Sequence, residues 1–325
     1  MTRTHSESGF SLIELIVAMG VLLAVSSIVT TALLQMTNAQ TTIWNRTEMH
    51  SGIRGATELL QQEVGQAGRI TLPGTVTLGA HVDAAAAPCD PGTPAANAVT
   101  VEVTSVSGMF ADAGPPAAYI LLTTLDGNRS ESIKVAAVLT SPPRITACFS
   151  NEHDAGTVVV PMGGFATGII PNTGVANGSS ATKLKLYGDI NGDGSMVYVE
   201  YTCDTTAHKL YRNVMAFDAA SKPVLTDAEI LLGNIMPNPG GTDCFSYQTA
   251  TMVVQGTSFT FVIDVAITLT VQTEQLDPVT REYQTETKAL LNVSPRNVFN
   301  AWSLASIGYT DRIQSTPVSV VALLP

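Results

Sequence analysis

The sequence predicts an α+β protein in which one long N-terminal spine helix packs on a β-rich globular domain. Three observations predict it. Residues 10–34 form an apolar run without proline, the pattern then becomes amphipathic as far as residue 68, and later segments are short, β-branched or alternating. The expected organisation is a leader at 1–9 and a helix at 10–68, with 10–34 as its membrane-spanning part. A β-rich domain follows at 69–310, then a tail at 311–325.

Residues 1–9 (MTRTHSESG) are polar, and residues 10–34 (FSLIELIVAMGVLLAVSSIVTTALL) are nearly all apolar. About 25 residues at 1.5 Å each give roughly 37 Å of helix, enough to span a bilayer's hydrocarbon core with some tilt. Only Gly20 lowers helix propensity within the run. An ordinary secretory signal is followed by a small-residue cleavage site. Here the chain continues through Gln35, Asn38 and Gln40 instead, which argues against removal of the whole segment.

Glu14 stands alone in the apolar run, which holds no Lys, Arg or His. A carboxylate at mid-membrane costs about 2.5–3.5 kcal/mol, less near an interface. Its partner must lie outside this helix or be a newly made chain terminus. The alternative is a side chain reaching the headgroups and stabilised by the helix N-terminal dipole.

The order Gly9-Phe10-Ser11-Leu12-Ile13-Glu14 resembles the type IV prepilin signature, a glycine followed by an aromatic residue, a short apolar stretch and a glutamate. The resemblance implies that a membrane aspartyl peptidase cuts between Gly9 and Phe10 and methylates the new amine of Phe10. It also implies a partner for Glu14: the N-terminal amine of a neighbouring subunit in a filament core. A desolvated carboxylate requires such a charge. Two departures are visible. Arg3 is offset by Glu7, so orientation signals in the leader are thin. Thr31 occupies the place where many major pilins carry a kink-forming proline.

Beyond Leu34, Ile53, Ala56, Leu60, Val64 and Ala67 recur at spacings of three and four, the mark of a helix with one buried stripe. Past Ile70 helical periodicity is scarce. Segments 99–103, 119–123, 132–138, 157–160, 183–187, 196–202, 209–213 and 258–271 read as strands. Leu225–Leu232 reads as a strand or a helical turn, and the Ala- and Pro-rich 80–97 as a loop. The stretch LLQQEVGQAGR (59–69) resembles the corresponding segment of PilW- and PulJ-type minor pilins, and VYVEY (197–201), LYR (210–212) and CFSY (244–247) resemble, in that order, segments of PilW-like proteins. The tail carries Pro317 and an apolar end, read as an edge strand or a loose arm.

Net charge is −11, with no basic patch, which argues against nucleic acid as a partner. Cys89, Cys148, Cys203 and Cys244 form no CxxC pair, so a zinc site is not expected. In an exported domain, an even number predicts two disulfides. Three connectivities exist, and sequence order favours Cys89–Cys148 and Cys203–Cys244; four buried free thiols are the alternative.

Asp189, Asn191 and Asp193, with Gly194 sixth and Glu200 twelfth, fit the spacing of a calcium loop with oxygen ligands. The flanks look like strands, however, and a hairpin turn made by the Asn-Gly and Asp-Gly dipeptides explains the same residues. No cofactor is expected to be required, and Ca²⁺ is the metal this loop would suit. His153 and Asp154 form a pair without a nucleophile signature nearby, and Gly163, Gly164 and Gly168 lack the Lys and Ser/Thr of a phosphate loop, so no enzyme activity is expected.

The resemblance implies a minor pilin that primes assembly or sits at the tip of a pilus. Its partners would be other major and minor pilins, the prepilin peptidase and the pilus assembly platform. It would reside in the inner membrane with its globular domain extracytoplasmic, and later in the pilus at the cell surface. A J-type pseudopilin of a type II secretion system is the alternative within that class. A membrane-anchored calcium-dependent adhesin is the alternative outside it.

Overall fold

The computed structural model describes residues 9, 11–90, 92–112, 118–172, 178–217, 219, 221–254 and 256–317. Helix α1 spans Leu12–Gln66 as one run of 55 residues. Ser11 precedes it, and the Ser11 backbone N–H donates to Glu14 Oε2 at 3.0 Å. That bond is the returning half of a capping box, with Glu14 at the third helical position. No break occurs at Thr31; its hydroxyl donates to the Ser27 carbonyl at 2.8 Å, as Thr30 does to Ser26 and Thr37 to Leu33. Hydroxyls satisfied on their own helix can sit in an apolar environment without an outside partner.

Contacts divide the chain into two units: Met1–Ser51 with Gln272–Thr285, and Gly52–Val271 with Glu286–Pro325. In the first unit the helix side chains from Leu12 to Met36 are exposed and mostly large and apolar. The Thr42 hydroxyl donates to Asp277 Oδ2 at 2.9 Å, and Gln284 Nε2 donates to the same oxygen at 2.8 Å. Arg46 Nε also reaches the Gln284 side chain.

In the second unit α1 turns its stripe inward: Ile53, Ala56, Leu60, Val64 and Ala67 are all buried. An antiparallel six-stranded sheet has the order Val76–Thr77, Val158–Pro161, Leu121–Leu125, Ser132–Thr140, Pro143–Ala147, Val99–Glu102. A second, four-stranded sheet runs Lys183–Gly188, Val197–Asp204, Lys209–Ala216, Ile230–Gly233. In the third, the long strand Thr257–Gln272 pairs with Ile235–Met236, Phe245–Val254 and Thr285–Val293. A large core cluster joins Leu78, Ile120, Leu122, Ile145 and Phe149 to Phe165, Tyr187 and Tyr198.

A long N-terminal helix followed by a β-rich globular part is the α+β class that the sequence predicts. Each segment expected from alternation carries strand, with two differences: 209–213 extends to Ala216, and 119–123 is divided between Ala118–Tyr119 and Leu121–Leu125. Segment 225–232 resolves into both readings in succession, a 3₁₀ turn at Asp227–Glu229 and then a strand at Ile230–Gly233.

Helix α2 (Arg296–Ser306) corrects the expectation of little helix beyond Ile70. Its inward side is Val298, Ala301 and Ala305, and two alanines carry little hydrophobic signal. Strands Pro143–Ala147, Phe245–Val254 and Thr285–Val293 also escape the pattern. The last two are largely exposed, so polar residues (Ser, Gln and Thr in the first, Thr, Glu, Lys and Asn in the second) interrupt their apolar ones. The apolar tail end at 318–324 lies outside the described residues.

Candidate functional site

Gly9 is exposed ahead of α1, and Phe10, the expected first residue after processing, lies outside the described residues. Glu14 is on the exposed first turn of α1, and no Lys, Arg or His lies between it and Arg46 on the same helix. From Leu12 to Gln66 the helix is long and apolar enough to cross a membrane, and its apolar window is fully exposed.

At its other end, α1 is held by polar groups from distant strands. Tyr201 Oη donates to Glu63 Oε2 at 2.5 Å, and Arg212 Nε lies 3.0 and 3.2 Å from the two Glu63 oxygens. Arg212 Nη2 also donates to Oε1. Glu63 and Tyr201 are buried. Burial opposes the Arg212 charge, but the Glu63 carboxylate outweighs it and raises the guanidinium pKa. Cross-strand register places Tyr201 opposite Arg212, so both side chains leave the second sheet on the face toward α1.

The turn that ends the helix requires Gly68, whose φ is +83° and whose absent Cβ would meet Val298 Cγ2 at 2.8 Å. The Gly68 N–H donates to the Tyr187 carbonyl at 2.8 Å, and the Asp189 N–H to the Arg69 carbonyl at 2.9 Å. Thus the segments LLQQEVGQAGR, VYVEY and LYR converge at one place in the fold.

Asp189 begins the connection 189–196 between two antiparallel strands, a longer link than a two-residue hairpin turn. Its side chain is fully buried. Oδ1 accepts the Asp193 N–H at 3.1 Å, and Asp193 Oδ1 accepts the Ser195 N–H at 2.9 Å. Among the described residues Oδ2 has no hydrogen-bond partner, and Arg69 Nε stands 3.6 Å away.

Glu200 is placed elsewhere. Gly188 faces Val197 and Lys185 faces Glu200, so Glu200 sits three residues, about 10 Å, along its strand from the loop. Lys222 Nζ lies 2.5 Å from its Oε2, Lys183 Nζ 3.4 Å from Oε1 and Lys185 Nζ 3.9 Å from Oε2. Tyr198 Oη donates to Oε2 at 3.1 Å. Burial raises the Glu200 carboxyl, but Lys222, Lys183 and Lys185 together hold it below the ordinary carboxylate range. Burial pushes Lys185 down to about 8, partly offset by Glu200. Among the described residues, no three His, Cys, Asp or Glu side chains gather as a metal group.

Disulfides join Cys89 to Cys148 and Cys203 to Cys244. His153 does not pair with Asp154. It is buried with Nδ1 2.9 Å from Asp126 Oδ2 and Nε2 2.9 Å from Glu131 Oε1, while Asp154 meets His81 and Arg129. Adjacency in sequence thus does not bring the two side chains together.

Residues 4–30 match the family model described as the prokaryotic N-terminal methylation motif. This prepilin-type motif supports a type IV pilin or pseudopilin-like protein that prepilin peptidase processes. Neither a curated protein nor a solved structure matches the chain.

Proposed function

We propose that this chain is a PilW-like minor type IV pilin, processed between Gly9 and Phe10 and built into a pilus through its N-terminal helix. The observation that carries the reading is the methylation motif over residues 4–30, running directly into an exposed apolar helix with the single early carboxylate Glu14. A bare apolar helix is stable in lipid, or among identical helices in a filament core, and not in water. On leaving the membrane, Glu14 is neutralised by the methylated Phe10 amine of a neighbour, and the second unit is displayed outside. Its place is among other major and minor pilins, in the priming complex or at the tip.

Intact mass of the membrane-extracted chain tests the processing step. The expected species begins at N-methylated Phe10 and carries two disulfides. A chain that keeps Met1, or one that starts after residue 34, overturns the reading. Crosslinking from the α1 segment in intact cells then separates the assemblies: pilus subunits are the expected adducts, and secretion-system pseudopilins would assign the chain to the J-type role.

A further inference from the structure

We propose that the 189–195 loop is a calcium site formed by Asp189, Asn191, Asp193 and backbone carbonyls, without Glu200, and that the ion locks the end of α1 onto the second sheet. The ligand set differs from the one that sequence spacing suggests, because Glu200 is occupied by Lys183, Lys185, Lys222 and Tyr198 three residues further along its strand.

The observation that calls for an ion is the Asp189 carboxylate. It is fully buried, its Oδ1 is used by the Asp193 N–H, and its Oδ2 has no hydrogen bond among the described residues. A buried carboxylate oxygen left without a donor is costly. Arg69 supplies positive charge only at 3.6 Å, and its side chain is 44% exposed, so it answers the charge in part. The Asp193 N–H on Asp189 Oδ1 and the Ser195 N–H on Asp193 Oδ1 wind the backbone of 189–195 around both carboxylates. Gly192 and Gly194 have φ of +72° and +87°, so the backbone folds back tightly between these residues.

Oxygen donors of this kind suit a hard cation that accepts six to eight flexible ligands, and carbonyls and water complete the shell. Two carboxylates rather than three or four place the affinity in the range of extracellular calcium modules, about 10⁻⁴–10⁻³ M. The coupling to the end of α1 runs through two backbone hydrogen bonds. The Asp189 N–H donates to the Arg69 carbonyl, and the Gly68 N–H to the Tyr187 carbonyl, so ordering the loop orders the helix terminus.

The test uses the full-length chain in detergent, washed with EDTA and titrated with calcium chloride alone, read by thermal unfolding and by terbium luminescence. Calcium at about 5 mM is expected to raise Tm by roughly 2–4 °C, with magnesium giving much less. Asp193→Ala, an exposed position that leaves the buried carboxylate in place, is expected to abolish the shift. Glu200→Gln is expected to lower the starting Tm and retain the shift. No calcium shift in the unsubstituted chain, or a full shift in Asp193→Ala, overturns the site. Loss of the shift in Glu200→Gln with Asp193→Ala unaffected overturns the ligand set.

Discussion

Glu63 and Arg212, 149 residues apart, meet fork to fork, with Arg212 Nε 3.0 Å from one carboxylate oxygen and 3.2 Å from the other, and Tyr201 donating a further bond. The pair fixes both where α1 meets the second sheet and how far the helix is rotated. A helix shifted by one residue would turn Glu63 about 100° from the guanidinium. Removing one partner leaves a buried charge unanswered. Glu63→Ala is therefore expected to destabilise the second unit by about 3 kcal/mol in denaturant unfolding, at the lower end for buried pairs because Arg212 keeps partial access to water. Arg212→Ala combined with Glu63→Ala should cost less than the two single changes added together. Strict additivity in that cycle would mean that the two groups do not hold the helix jointly.

The two ends of this chain differ in how readable they are. The apolar run and the lone Glu14 are local facts, and 3.6-residue periodicity reports the buried stripe from Ile53 to Ala67 directly. Strands with one buried face are equally legible. By contrast, the pairing of Glu63 with Arg212 depends on tertiary placement, and no spacing rule connects positions so far apart. Glu200 shows the limit of motif arithmetic. It is twelfth from Asp189, but strand alternation sends its side chain to three lysines. His153 finds Asp126 and Glu131 rather than its neighbour Asp154, because tertiary placement and not adjacency sets its partners.

Glu14→Ala should separate assembly from folding. The residue is exposed on the first turn of α1, where it accepts one backbone N–H, that of Ser11. Loss of that capping bond costs the helix end about 0.5–1 kcal/mol and leaves the second unit untouched. If Glu14 pairs with a neighbour's amine, incorporation into shear-released filaments should fall at least tenfold while the membrane level of processed protein is unchanged. Normal incorporation would remove the charge-pairing role.

The two disulfides should behave differently despite similar loop lengths. Their sequence separations of 59 and 41 residues change the loop-closure contribution by only about 0.3 kcal/mol. Position decides. Cys203 lies in the strand Val197–Asp204 and Cys244 abuts the strand Phe245–Val254, so this bond ties the second sheet to the third. Cys89 sits in a stretch whose one described ladder contact is Val82 with His153. Serine in place of Cys203 and Cys244 should lower stability by about 2–5 kcal/mol. The same change at Cys89 and Cys148 should mainly expose residues 80–98 to proteolysis, with a smaller fall in Tm. Equal falls in Tm with no new cleavage would contradict this.

Lys185 gives the protein a stability change on the alkaline side. Burial depresses its folded pKa to about 8, whereas the unfolded chain holds the ordinary value near 10.4. Between these values the unfolded state binds more protons than the folded one, so stability rises as pH increases through the window. As pH falls through about 8, Lys185 becomes charged in the fold and its contribution is lost. Tyr198, Tyr201 and Tyr247 act in the opposite sense: burial raises all three, so their contribution is complete below pH 10 and declines above it. The clean interval is therefore about pH 8 to 10, where unfolding free energy should climb by up to about 1 kcal/mol per pH unit. Lys185→Met keeps a long chain in the site without the charge and should flatten that slope while leaving the acid side, governed by Glu200 with Lys222 and Lys183, in place. Urea unfolding at half-unit steps of pH reads both arms, and an unchanged alkaline slope in Lys185→Met would show that the proton uptake belongs to another group.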